Sequence, residues 1–330
     1  MTARLAALLP DKFLLALLAT IAFAVLYPVT GETAATLKVF SKATIALLFF
    51  LYGARLHYSA IIEGLTNWRL QLASLLVTFV IFPLLGWAMA AGAESIIDPA
   101  LIAGFVFLTL LPSTVQSSIA MVGVARGNVA AAICCASLSN MAGVFFTPML
   151  ALVLMDAQAG DMDAGAAIGK VALQILLPFI IGMMCQRPLA GVMAWFGSKL
   201  KLYDRAVILL IGYIAISAAI TGGVFAEIGL VDLVLLGVLF LVLLVLAMGG
   251  SWLLAGALGM NMADRIALLF CGSQKSLASG VPLAAALFPA SAAGVIIVPV
   301  IVYHQMQLVI GTVLCGRLAR HGEAAGAVAA

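Results

Sequence analysis

"LLFCGSQKSLASGVP", residues 268–282, decides how this chain is read. The stretch lies inside a long apolar run, yet its middle holds Gly272, Ser273, Gln274, Lys275 and Ser276. A lysine in the middle of a membrane helix costs about 2.5–3.5 kcal/mol on insertion scales. Apolar residues continue on both sides of Lys275, so its amine has no short route to an interface. Such a group needs a partner inside the protein. No Asp or Glu sits at comparable depth in any apolar span, which leaves backbone carbonyls, a bound anion, or no partner and a neutral amine.

The rest of the chain supplies the solvent for this argument. Of 330 residues, 65% are hydrophobic and 9% charged, and the mean hydropathy is +1.25. A water-soluble domain cannot cover that much apolar surface, so the chain is an integral membrane protein in contact with the lipid bilayer. A net charge of +3 is too small to imply nucleic acid as a partner, and no basic cluster suggests it. Cys134, Cys135, Cys185, Cys271 and Cys315 fall in or beside apolar runs without metal-site spacing, and read as small buried hydrophobes. No cofactor is implied. The basic start and the apolar run from Phe13 resemble a signal peptide, but no clear cleavage site follows, and the run reads as a first spanning helix.

A span needs roughly 20 apolar residues. Ten candidates are found, near 13–29, 42–56, 70–92, 99–125, 129–155, 166–186, 203–222, 231–255, 265–289 and 294–316, with joins such as "QAGDMDAG" and "GSKLK". With both termini in the cytoplasm, twelve Lys and Arg residues face inward (Arg4, Arg55, Lys201 and Arg205 among them) and only Lys38, Lys42 and Lys170 face outward. That bias orients the bundle in the cell's inner (plasma) membrane.

Ten spans divide into two halves of five, residues 1–160 and 161–330, and an odd-numbered unit repeated once must be inverted. The fourth and ninth spans, in corresponding positions, each carry a polar break. Paired interruptions of this kind point to the binding site of an inverted-repeat transporter. In the fourth, Pro112 removes a backbone donor, and Ser113, Thr114, Gln116, Ser117 and Ser118 follow it. In the ninth, Gly272 permits the break and Ser273, Gln274, Lys275 and Ser276 supply polar groups. The expectation is that 111–118 and 272–276 are non-helical or kinked and meet near the bilayer midplane. The spans that follow add Ser137, Ser139 and Asn140, and His304, Gln305 and Gln307. His304 reads either as a proton relay or as a hydrogen-bonded structural residue. No nucleotide-binding loop, HExxH or GxSxG occurs, which disfavours a pump or an enzyme.

Four stretches then resemble a known family: "ALLFFLYGARL", "VTFVIFPLLGW", "LPSTVQSSIAMVGVARGNVAAAICCASLSNMAGVFFTPML" and "GSQKSLASGVPLAAALF". They are similar to the bile acid:sodium symporter superfamily, and more narrowly to its divergent bacterial branch, which includes the most divergent vertebrate member. The resemblance covers nearly the whole chain. It implies an all-α membrane fold of ten helices in two inverted repeats. A panel domain (spans 1, 2, 6 and 7) would pack on a core domain (spans 3–5 and 8–10), in which the discontinuous fourth and ninth helices cross. Sodium-coupled members hold two sodium ions beside that crossing.

Here the sequence departs from the family. The position of the sodium-site glutamate reads Phe270, and the Gln-Asn pair reads Gln274-Lys275. Serine and threonine ligands align with Ala132 and Ala136, and a glutamine with Thr78. Sodium, a hard cation, wants several oxygen ligands, so the site reads as degraded, with Lys275 standing where the coupling cation would. The function expected is alternating-access transport of a small organic, anionic solute, sodium-independent or proton-coupled. The rivals are a sodium symporter with a rearranged site and a membrane protein that regulates without transporting.

Overall fold

Every element is helical in the computed structural model, which describes residues 12–55, 67–159, 169, 172–197, 199–226 and 228–328. Arg4, Lys170, Glu227, most of the "QAGDMDAG" join with the 160/161 boundary, and the extreme termini lie outside the described residues. The helices are α1 (Lys12–Leu26), α2 (Gly31–Ala54), α3 (Trp68–Leu76), a π-helical segment π1 (Val77–Ile81), α4 (Phe82–Ala93), α5 (Pro99–Thr109), α6 (Gln116–Val124) and α7 (Val129–Ala159). A second π segment, π2 (Ala172–Leu176), leads into α8 (Leu177–Met184), α9 (Gln186–Phe196), α10 (Lys199–Thr221), α11 (Leu230–Ala257), α12 (Met262–Ser273), α13 (Leu277–Leu287) and α14 (Ala290–Val328).

Among the described residues, six helices are long and apolar enough to cross a membrane: Gly31–Ala54, Trp68–Ala93, Val129–Met155, Lys199–Thr221, Leu230–Ala257 and Ala290–Arg320. The pair Ala172–Met184 and Gln186–Phe196, bent by 94°, adds a seventh if it is one span. Their outward faces are greasy: Val153 is 76% exposed and Leu230 77%. Water would not tolerate a surface of that kind, whereas lipid tails do.

The second span differs from its sequence reading. Its polar first half (Glu32, Thr36, Lys38, Ser41, Lys42) dilutes the hydropathy signal, and the reading began the span only at 42 with both lysines outside. The helix starts at Gly31, so Lys38 and Lys42 lie inside a membrane-length helix.

Packing falls into two groups. In one, α2 lies against α8 and α10, and α1 against α10. Gly53 and Gly182 let α2 and α8 touch backbone to backbone, since a Cβ on either would overlap the partner's carbonyl, that of Phe179 or of Phe50. In the other, α3–α7 and α11–α14 pack on one another, and α10 meets α13 and α14 where the groups join.

The two polar breaks are present. Residues 110–115 between α5 and α6, and 274–276 between α12 and α13, are not helical. Gly272 has a different part from the one expected of it. The helix runs through it to Ser273, and its missing side chain lets α12 lie close to α11 and π1. A Cβ there would stand 3.0 Å from Ser251 Oγ and 3.1 Å from Val77 Cγ1.

Candidate functional site

The two breaks touch directly, the Ser276 N–H donating to the Pro112 carbonyl at 2.8 Å. In hydrocarbon an unpaired carbonyl costs several kcal/mol, so each one freed by the break needs a donor. Pro112 brings no N–H, and the turn before it tightens, Leu111 N–H reaching the Leu108 carbonyl. The Leu110 carbonyl accepts from Thr147 Oγ1 at 2.7 Å, and that of Ser113 from Asn140 Nδ2 at 2.8 Å. Ser113 N–H donates to Ser139 Oγ at 3.0 Å. Two more, Thr109 and Leu111, accept from the Lys275 ammonium, both at 2.8 Å.

The third hydrogen of that ammonium goes to the Thr78 carbonyl at 2.9 Å, and the geometry of α3–π1–α4 explains why this oxygen is available. In an α-helix it would accept from Phe82. Here the Phe82 N–H bonds to Val77 instead, the mark of the π turn, and the next residue, Pro83, has no N–H to offer. Lys275 thus replaces a donor that the helix itself cannot supply. Its Nζ also stands 4.1 Å from the centroid of the Phe82 ring, and no part of the residue is exposed. All three ammonium donors are satisfied. Thr109 and Leu111 lie at the carboxyl end of α5, the negative end of its dipole.

The ninth-span break is held as fully. Gln307, completely buried, accepts from Lys275 N–H and donates to the Lys275 carbonyl, both at 2.8 Å. Gln274 Oε1 accepts from Thr114 Oγ1 at 2.8 Å, Ser117 Oγ at 2.9 Å and Ser118 Oγ at 3.2 Å. Tyr303 donates to the Ser273 carbonyl at 3.1 Å, while Ser273 Oγ turns back to Leu269. Ser276 caps α13 by accepting from Ser279 N–H, and Ser279 Oγ donates to Asn140 Oδ1 at 2.8 Å.

At Ala132, Ala136 and Phe270, where the sequence suggests a degraded sodium site, the side chains are apolar and fully buried. The Ala136 carbonyl accepts from Asn140 Nδ2 and that of Ala132 from Cys271 Sγ. None of the three side chains carries an oxygen that could ligate a hard cation.

A cavity of about 640 Å³ opens beside the crossing. One wall is built from the two breaks with α7 and α14, at Thr114, Gln116, Ser117, Ser137, Asn140, Ser276 and His304. The amino ends of α6 and α13 both lie in this wall and bring partial positive charge. The facing wall comes from α1, α2, α8 and α10. It is apolar at Phe49, Tyr52 and Phe179 and cationic at Arg55, Lys201 and Arg205. Asp204 is the one carboxylate among the described lining residues, and it pairs with Arg55 through two 2.9 Å bonds. Of the residues singled out in the sequence, Gln305 is not brought here. It is half-buried off the cavity, and Gln307 does the bonding. His304 Nδ1 lies 2.8 Å from Gln307 Nε2.

Sequence reasoning missed a second feature. Asp264, near the start of α12, is 8% exposed and accepts from Asn67 Nδ2, Asn128 Nδ2 and Asn261 Nδ2 at 3.1, 2.8 and 3.0 Å. These asparagines precede α3, α7 and α12, so one carboxylate ties three helix starts together. Each Asn sits in an N-cap position, a signal legible in the sequence.

Comparison with known proteins gives concordant matches. The sequence model described as the SBF-like CPA transporter family (DUF4137) matches residues 11–320. The chain is 44% identical to an uncharacterized protein of Pseudomonas aeruginosa, PA2026, covering 98% of this chain and 97% of that protein. It is 40% identical to the symporter-named YfeH of Escherichia coli, covering 95% and 94%. Sodium/bile acid cotransporter 7 of Danio rerio is 25% identical, covering 92% of each chain.

Proposed function

Because this chain belongs to the SBF-like CPA transporter family, we propose that it is a secondary transporter of a small organic anion. In this reading it works by alternating access and has Lys275 in place of a coupling sodium ion. Counting α5–α6 and α12–α13 as one broken span each, with α1 and π2–α8, brings six long helices to ten. They form two inverted repeats, 1–160 and 161–330, and pack as a panel (spans 1, 2, 6 and 7) against a core (spans 3–5 and 8–10).

The single observation that carries the reading is the cavity between these groups. Its lining side chains hold Arg55, Lys201 and Arg205 against Asp204 alone, and the amino ends of two half-helices face it. An anionic head group gains there from the dipoles and cations, while an apolar body packs on Phe49, Tyr52 and Phe179. By the charge bias of the loops the cavity opens to the cytoplasm.

Proton coupling is the second reading, and one observation favours it. Gln71, Ser74 and Thr78, three and four residues apart along α3–π1, hold buried side-chain polar atoms without a protein partner. Water is their natural partner, and the seam ends beside Lys275.

Uptake into proteoliposomes tests the proposal, with labelled carboxylates and sulfonates, taurocholate among them, under imposed sodium or proton gradients. Saturable uptake that ignores replacement of sodium by potassium is the expected result. Uptake driven by sodium would restore the symporter reading. Absence of both uptake and binding for every solute would favour a regulatory protein. Topology is a separate expectation: cysteines introduced at 94–98 react with an impermeant reagent from outside, and those at 195–201 do not. The reverse pattern would place the large cavity on the outer face.

A further inference from the structure

A second cavity, of about 180 Å³, lies between α2, π2 and α10 on one side and α13 and α14 on the other. Lys38 and Lys42 line it, four residues apart and so on one face of α2. Lys42 lies eleven residues past Gly31, about 16 Å along the axis, or roughly half the depth of a 30 Å hydrocarbon layer. Like charges at this spacing repel, and ionisable residues inside membrane helices are expensive and mark substrate paths. Among the described residues no acidic side chain lines the cavity. Gln174, on the π segment, adds an amide, and Ala290 and Ala293 place the amino end of α14 in the wall. The floor is shut where α14 meets α10: a Cβ on Gly294 would overlap the Ala215 carbonyl.

We propose that this cavity is an outer capture site for carboxylate- or sulfonate-bearing solutes, in which Lys38 and Lys42 hold the anionic group before the panel and core exchange access. It rests on the transport reading above and extends it to the opposite face. A lysine pair that merely reached for the interface would not need to share a cavity with an amide and a helix amino end, all lacking a carboxylate. With Arg55 at its inner end, α2 then carries cations at both ends of one path.

The test uses thiol chemistry and needs no known cargo. Ala290→Cys is introduced, and its rates with a sulfonate-bearing and a trimethylammonium-bearing methanethiosulfonate are measured in detergent. Each is corrected for the parent protein and normalised to a free thiol. Local potentials of this kind concentrate counter-ions by about tenfold or more, so the sulfonate is expected to be favoured by about tenfold. The preference should fall towards unity in Lys38→Gln/Lys42→Gln. A normalised ratio at or below one, or one the double substitution leaves unchanged, overturns the proposal. Where a solute is transported, the same double variant is expected to raise its KM from the outside several-fold at unchanged maximal rate. If no solute is transported, the transport reading fails, while the reagent ratio still decides whether the cavity selects anions.

Discussion

Lys275→Met should be the most destabilising single substitution at the crossing. Methionine keeps the length and loses the donors, which strands the carbonyls of Thr78, Thr109 and Leu111. A buried acceptor left unpaired costs about 1–3 kcal/mol, so three of them threaten the fold of the broken fourth span. Loss of the Phe82 ring contact adds to this. The expected result in detergent is a fall in Tm of about 5 °C or more, as a few kcal/mol produces in domains of moderate size. A specific rescue follows from the geometry of π1. Pro83→Ala returns an N–H to the third span, and either the π register or a relaxed α register then gives the Thr78 carbonyl a backbone donor. On a Lys275→Met background this substitution should recover part of the loss, while in the parent it removes a reason for the lysine and gains little. Equal effects of Pro83→Ala in both backgrounds would break the link between the two residues.

Gly294→Val should lock the transporter with its outer side open. A Cβ at this position would overlap the Ala215 carbonyl and stand 2.7 Å from Ala219 Cβ, both on α10. Overpacking usually costs about 1–3 kcal/mol, and here the obstacle is backbone. A shift of only about 1.4 kcal/mol is tenfold in population. A cysteine at Leu308, in the large cavity, should therefore react at least about tenfold more slowly from the cytoplasmic side. One at Ala285, beside the outer cavity, should react correspondingly faster from outside, and turnover should be lost. If neither accessibility changes, the α10–α14 contact is not the outer seal.

Much of this was legible in the chain because membrane helices announce themselves by composition and a break announces itself by Pro and polar residues. Pro112 and the Ser273–Ser276 run located both irregular segments, and the absence of a deep acid pointed to carbonyls as one possible partner for Lys275. What the sequence withheld depends on backbone register. Nothing in "VTFVIFP" says that Phe82 bonds to Val77 rather than Thr78. Glycine suits a hinge, but at position 272 close approach to α11 and π1 is what needs it. The sequence offers both Gln305 and Gln307 and does not say which turns inward, because side-chain direction on α14 follows packing, not spacing alone. The depth of Lys38 and Lys42 was hidden by a polar half-helix that averages like a loop. The Asp264 cluster joins residues nearly 200 positions apart and has no local signature beyond its caps.

In the function proposed above, Lys275 serves as a built-in cation in place of a coupling sodium ion. At about 4 Å and an effective dielectric near 20, its repulsion of sodium is roughly 4 kcal/mol, close to a thousandfold in affinity. Thermal unfolding of the purified protein in matched sodium, potassium and lithium chloride measures this directly. The same Tm is expected in all three salts up to high millimolar concentration. A gain of several degrees in millimolar sodium alone would show a working sodium site and contradict it.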